Sequence, residues 1–346
     1  MIKICFYSHT IDYAGTWRSH EKIFENLNRE IFDPYIMYWD ECRDNNRLEI
    51  LKNKFGSDRF IPFKRSIEKS GPESGYTPKN NNFKEIAQLH KFDIIHFARS
   101  GYYEFPFNQR ICPLQIETNI FGAIDDSPFI DKSISISRAV ANHKTTVIIP
   151  NPISVPKNID KDFSIRKKLT ILDKDIVIGR VGRADNFDPI ALQAYKLLNA
   201  DNIHYFIVSP CENTKKFVKD YNLKNVHYFE PTNDDIFLDL FHRNIDIFGH
   251  YRSDGETFGV AIASAMAYGL PIVSHYGGYN AQKATINNGG FVANDFNQYY
   301  LYLKNLIDDY SLRQKLGYNS REFVINNFEE KKVINEIEKK YMEWIK

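Results

Sequence analysis

The chain has 346 residues, more than one hydrophobic core usually serves, so two domains of roughly 150 residues each are expected. Lys and Arg total 45 against 44 Asp and Glu, leaving a net charge of +1, which argues against a nucleic-acid groove and against a generally basic membrane-binding face. An aromatic content of 14%, with 26 Phe and 21 Tyr, excludes disorder.

In chain order, the run IKICFY reads as a buried strand. Its amino-terminal flank is too short an apolar run for a signal peptide. A turn at Gly15 then precedes a helix in SHEKIFENLNRE with Ile23, Phe24 and Leu27 on one face. FDPYIMYW is the next strand. The polar stretch from Lys64 to Asn82 reads as a long loop, either a binding element or disordered. FKEIAQLHK reads as a helix, and FDIIHFA as a strand that turns at RSGYY. PLQIET and KSISIS are further strands, and Arg138 to His143 a short helix. Three prolines in VIIPNPISVP make a semi-rigid connector, which sets a first domain at 1–150.

The alternation then restarts with strand DIVIGRVG, a helix from Pro189 to Leu198 and strand IHYFIVS. Helix ENTKKFVKDY and strand NVHYFE follow, and then a helix opened by Thr232 with Asp235 at the capping-box position. Strand IDIFGHY leads into RSDGETFG, which would lie at the carboxyl end of that strand, where open parallel sheets bind ligands. A helix of small residues is expected to start near Thr257 and to stop at Gly269 before Pro271. Gly255 and Gly259 would let a ligand approach the backbone beside Glu256. That carboxylate is either a ligand group or merely a complement to the helix dipole. A second domain at 151–325 and a terminal helix over 326–346 complete the division. The helix carries Val333, Ile334, Ile337, Tyr341, Trp344 and Ile345 on one stripe. Strand–helix alternation throughout predicts an α/β fold with two doubly wound parallel sheets.

Cys5, Cys42, Cys112 and Cys211 form no CxxC pair and read as reduced thiols in a cytoplasmic protein. The longest apolar stretch, 260–273, is too short to span a bilayer. The DKD triplets at Asp160 and Asp173 lie in charged segments and read as solvated surface, so no metal is implied.

The block DGETFGVAIASAMAYGLPIVSHYGG resembles the signature of the retaining glycosyltransferases of family 4, which have the GT-B fold. GTWRSHEKIFENL, DIIHFARSGY, PLQIETNIFG, SISRAV with IIPNPI, and VIGRVGRADNF extend the likeness over nearly the whole chain. The resemblance implies two Rossmann-like domains facing a central cleft, with the last helix crossing back to the first. It implies a nucleotide-sugar donor, a glycan or lipid-linked acceptor entering from the first domain, and no cofactor. It leaves room for peripheral membrane contact. By this likeness Glu256 would hydrogen-bond donor-sugar hydroxyls, and the amides of Thr257, Phe258 and Gly259 would contact sugar or diphosphate. Arg183, or else Arg180, would hold the diphosphate.

Gly278 and Asn280 would face the same cleft. Gly15 and His96 would lie on the acceptor side; for His96 a packed structural role is the equal alternative. The chain departs from the pattern at Ser264, where the family commonly has a ribose-binding Glu, and at Asp188, near the place of a Lys. It departs again at Asn119 in place of a His, and at Gln282 near an acid's position. These losses motivate a rival expectation, a degenerate GT-B module that binds without catalysis. A nucleotide-sugar epimerase on the same fold is a third.

Overall fold

The computed structural model describes residues 1–8, 11, 15–41, 44–64, 66–68, 77–79, 82–99, 109–124, 127–183, 187–198, 200–232 and 234–346. Most of the expected loop between Lys64 and Asn82, the RSGYY turn after Arg99 and Cys42 lie outside the described residues. The chain divides into two compact units, Met1–Pro152 with Lys331–Lys346, and Ile153–Glu330.

The first unit is built on β1 (Ile2–Ser8), β2 (Phe32–Trp39), β3 (Phe60–Phe63), β6 (Ile94–Arg99), β7 (Leu114–Asn119), β8 (Lys132–Ser135) and β9 (Val147–Ile148). They pair in the order β3-β2-β1-β6-β7-β8-β9, every pair parallel. Two short strands between them, β4 (Ser66–Glu68) and β5 (Thr77–Lys79), form a separate antiparallel pair. Buried Ile4, Phe6, Phe24, Ile36, Ile94 and Ile116 make the core on one face of the sheet. Near-continuous apolar strands are what a sheet covered on both faces requires.

Differences from the expected elements have local causes. The first helix runs Gly15–Asn26, four residues earlier than its apolar stripe suggested. A helix at Asn45–Phe55, not expected, is capped by Asp44, whose carboxylate accepts from Arg47 N at 3.0 Å. Val147–Ile148, expected in the connector, completes the sheet instead. Arg138–Val140 is only a single 3-10 turn. The terminal helix, Glu330–Trp344, buries Val333, Ile334, Ile337 and Tyr341 in the core of the first unit, with Trp344 and Ile345 packed against it.

That core holds a feature with a consequence for acid stability. His20 is 1% exposed, and neither ring nitrogen has a hydrogen-bond partner among the described residues. Its ring lies 4.5 Å from that of His96 and 5.4 Å from that of Phe6. Burial pushes its pKa down from 6.5 to about 3. Between those values the unfolded chain takes up a proton that folded His20 refuses, so stability should fall as pH drops from 6.5 toward 3. His20→Leu should flatten this limb while costing less than about 1.5 kcal/mol at pH 7, read by denaturant unfolding across pH.

The second unit has β10 (Ile176–Arg180), β11 (Ile203–Val208), β12 (Val226–Phe229), β13 (Ile247–Gly249), β14 (Ile272–His275) and β15 (Gly290–Ala293). Their order is β12-β11-β10-β13-β14-β15, again wholly parallel. The reversal of strand order at β10 and β13 is the topological switch point, where such sheets place their ligands. Helices Ile190–Leu198, Val260–Ala267 and Phe296–Asp308 are among those flanking the sheet. The helix expected from Thr232 runs Asp235–Asn244, capped by Asp234, whose side chain accepts from Ile236 N at 2.9 Å. Thr232 instead accepts from Asp234 N, one step outside the helix. Among the described residues no helix is long and apolar enough to cross a membrane.

Candidate functional site

At the carboxyl ends of β10, β13 and β14, three turns of the second unit come together. The turn after β13 carries Glu256, whose side chain is 13% exposed. Its Oε1 accepts from His250 Nε2 at 3.0 Å and its Oε2 from Arg252 Nη1 at 3.3 Å. Its backbone is held as firmly. Glu256 N donates to Gln282 Oε1 at 3.1 Å, and Glu256 O accepts from Ala281 N at 2.9 Å. Gln282 is buried and donates through Nε2 to His275 O, so the residue standing near the family's acid fixes the carboxylate's own turn.

Gly255 and Gly278 are required by contacts inside the protein. A Cβ on Gly255 would stand 1.6 Å from Gly277 O, and one on Gly278 1.5 Å from Asp254 O. Both residues have positive φ, +66° and +55°. The glycines let two turns lock against each other. Asn280 closes the second turn by accepting from Gly277 N at 2.8 Å.

The small-residue helix starts at Val260, with Gly259 as its cap at φ +94°, three residues later than expected. Thr257 and Phe258 therefore precede the helix. The Phe258 ring is buried against Phe328 at 5.0 Å, and its carbonyl accepts from Thr285 Oγ1 at 2.5 Å. Ser264 is half-buried in the second turn of that helix.

Three arginines converge on the same ends. Arg180, the last residue of β10, is buried, with its guanidinium 4.1 Å from the Tyr251 ring centroid and Nη2 donating to Arg183 O at 3.3 Å. It supports the turn that carries Arg183. Arg183 itself is exposed. Arg252 pairs bidentately with Asp254 at 2.6 and 2.9 Å. Its hydrogen bonds hold that carboxylate below the usual range, and the charge of Arg183 adds to the effect. Asp188, near the family's Lys position, caps the helix Ile190–Leu198 by accepting from Ile190 N at 2.9 Å.

His250 and Arg252 were not singled out in the sequence. The strand-end rule that selected Glu256 would also have reached both, since they immediately follow β13.

The expected residues of the first unit fare differently. His96 is fully buried on β6, with Nδ1 2.5 Å from Tyr341 OH and Nε2 2.8 Å from Thr118 Oγ1. Burial, with His20 beside it, holds its pKa well below the ordinary value, so it is a neutral packed residue. Asn119 is buried and clamps its own loop, donating to Ala123 O at 2.8 Å and accepting from Gly122 N at 2.7 Å. Gly15 opens the first helix. Among the described residues no three His, Cys, Asp or Glu side chains gather as a metal-holding group. A cavity of about 310 Å³ in the second unit lies elsewhere, lined by Lys161, Arg166, Tyr268, Asp246 and Pro271, the last two immediately preceding β13 and β14.

Residues 161–323 match the family model of the glycosyl transferases group 1. Over 243 residues the chain is 27% identical to the capsular polysaccharide biosynthesis glycosyltransferase CapM of Staphylococcus aureus; the alignment covers 65% of this chain and 61% of CapM. A glycosyltransferase from Rickettsia africae ESF-5 superposes with a TM-score of 0.76 at 14% identity, covering 100% of this chain and 99% of the other. HepE from Anabaena, solved in complex with UDP and glucose, superposes with a TM-score of 0.74 at 14% identity, over 99% of this chain and 100% of the other. The fold of these two structures, two parallel-sheet Rossmann-like domains of the GT-B type, is the fold seen here. The matched residues, 161–323, contain the Glu256 turn.

Proposed function

We propose that the protein is a retaining glycosyltransferase of family 4, which moves a sugar from a nucleotide-sugar donor to a hydroxyl of a glycan or lipid-linked acceptor. The observation that carries the proposal is the Glu256 turn, a braced carboxylate beside three arginines at the switch point of the second sheet. Glu256 reads donor-sugar hydroxyls, and the amides of Thr257, Phe258 and Gly259 line the sugar and diphosphate. Arg183, with Arg252 beside it, takes the charge of the departing diphosphate, so the reading needs no metal. Ser264 offers the ribose a hydroxyl where a carboxylate would give a charge-assisted bond.

In the transfer, the acceptor oxygen bonds to the anomeric carbon on the face from which the diphosphate leaves. The anomeric carbon–phosphate oxygen bond breaks, and the acceptor's proton passes to the leaving phosphate. No side-chain nucleophile is required. We assign the reaction to the cytoplasm. A glycan acceptor fits the role of CapM in capsular polysaccharide biosynthesis.

The rival, a binding module without catalysis, is favoured by Ser264 and by Asp188 serving as a helix cap. Thermal shift against UDP-, GDP-, dTDP- and CMP-sugars tests the proposal. At 100 times Kd, one donor class should add about 2.7 kcal/mol to stability and raise the melting temperature accordingly. No shift with any of them would remove the donor reading, whereas a shift without turnover in the presence of a broad acceptor panel would select the rival.

A further inference from the structure

Glu256 is an acceptor only, so the proton in its 3.0 Å contact with His250 belongs to His250 Nε2. The other nitrogen, Nδ1, lies 2.9 Å from the Oγ of Ser274 on β14, a side chain with no exposure. A neutral imidazole protonated at Nε2 satisfies both contacts at once, with Ser274 donating to Nδ1. Burial holds the pKa of His250 below its ordinary value; Glu256 opposes this, while Arg180 and His275 reinforce it. Tyr299 approaches only the backbone, donating to His250 O at 3.2 Å.

We infer that His250, anchored by Ser274, is a positioning residue for Glu256: it fixes Oε1 and leaves Oε2 for a hydroxyl of the sugar, with Arg252 as the partner the sugar displaces. This rests on the donor-binding reading of Glu256. A neutral donor aims the carboxylate without cancelling its charge, which an arginine in the same place would do. The opposite oxygen is held differently. Arg252 reaches Oε2 at 3.3 Å while bound to Asp254 at 2.6 and 2.9 Å, so its contact with Glu256 is the longer one. A ligand hydroxyl can replace it without stripping Arg252 of its carboxylate partner.

Turnover of UDP-glucose between pH 5 and 8 tests the inference in His250→Leu, His250→Gln and Ser274→Ala, with Glu256→Gln as reference. His250→Leu should lower kcat by about 30-fold, because Oε1 of the carboxylate loses its fixed donor. His250→Gln, whose amide N–H replaces the donor, should recover to within about fivefold, and Ser274→Ala should fall between them. If His250→Leu does not fold, the other two variants carry the comparison. An unchanged rate in His250→Leu alongside an inactive Glu256→Gln would overturn the role of His250 and spare the donor reading. A fully active Glu256→Gln would overturn the donor reading itself. Ring 15N NMR of the unliganded protein gives an answer without any donor: a neutral Nε2–H ring at pH 7 supports the inference, and a protonated ring or the Nδ1–H tautomer overturns it.

Discussion

Glu256→Gln is expected to lower transfer from the nucleotide-sugar donor by about 100- to 1,000-fold while the second unit stays folded. The substitution keeps the shape of the side chain and its backbone bonds to Gln282 and Ala281. It removes the charge that makes hydrogen bonds to sugar hydroxyls about twice as strong as neutral ones. The loss should appear mainly in kcat if the carboxylate acts where positive charge develops at the anomeric carbon, and mainly in KM if it only holds the ground state. Its cost to the fold should be small, because the group is partly exposed and the contact with Arg252 is already shared with Asp254. Circular dichroism and the melting temperature check the fold independently of the rate.

Gly278→Ala should destabilise the second unit by more than about 4 kcal/mol, a size reserved for changes the surroundings cannot absorb. The new methyl carbon would sit 1.5 Å from Asp254 O, a backbone atom held in the neighbouring turn by Tyr279 N at 3.3 Å. Relief requires separating the two turns that position Glu256, so donor binding should be lost along with stability. Gly269→Ala is the internal control. It has a similarly positive φ of +72°, yet its nearest neighbour would be 3.6 Å away, so it should cost only about 1 kcal/mol of backbone strain. Equal effects of the two substitutions in denaturant unfolding would show that turn contact contributes little.

Patterns that depend on neighbouring residues were readable in the chain. The apolar runs of β1, β2, β6 and β11 and the stripe of the terminal helix reflect one buried face or core, and their elements formed where expected. The turn with Glu256 was readable because glycines crowd it. What the sequence hides is the neighbour that requires glycine at 255: Gly277 lies 22 residues away and meets it only in the fold. His96 shows the same limit. Nothing adjacent to it signals the contact with Tyr341, 245 residues on, that makes it a core residue. Helix starts were misplaced at Gly259 and Asp234 because a cap is a hydrogen-bond geometry, and several residues nearby have the right side chain.

The most direct measurement is the structure of the protein bound to whichever nucleotide sugar raises its melting temperature most. A sugar hydroxyl should lie about 2.8 Å from Glu256 Oε2, with Arg252 turned away from that oxygen and the diphosphate against Arg183. A nucleotide sugar seated elsewhere, with Arg252 still paired to Glu256, would contradict it.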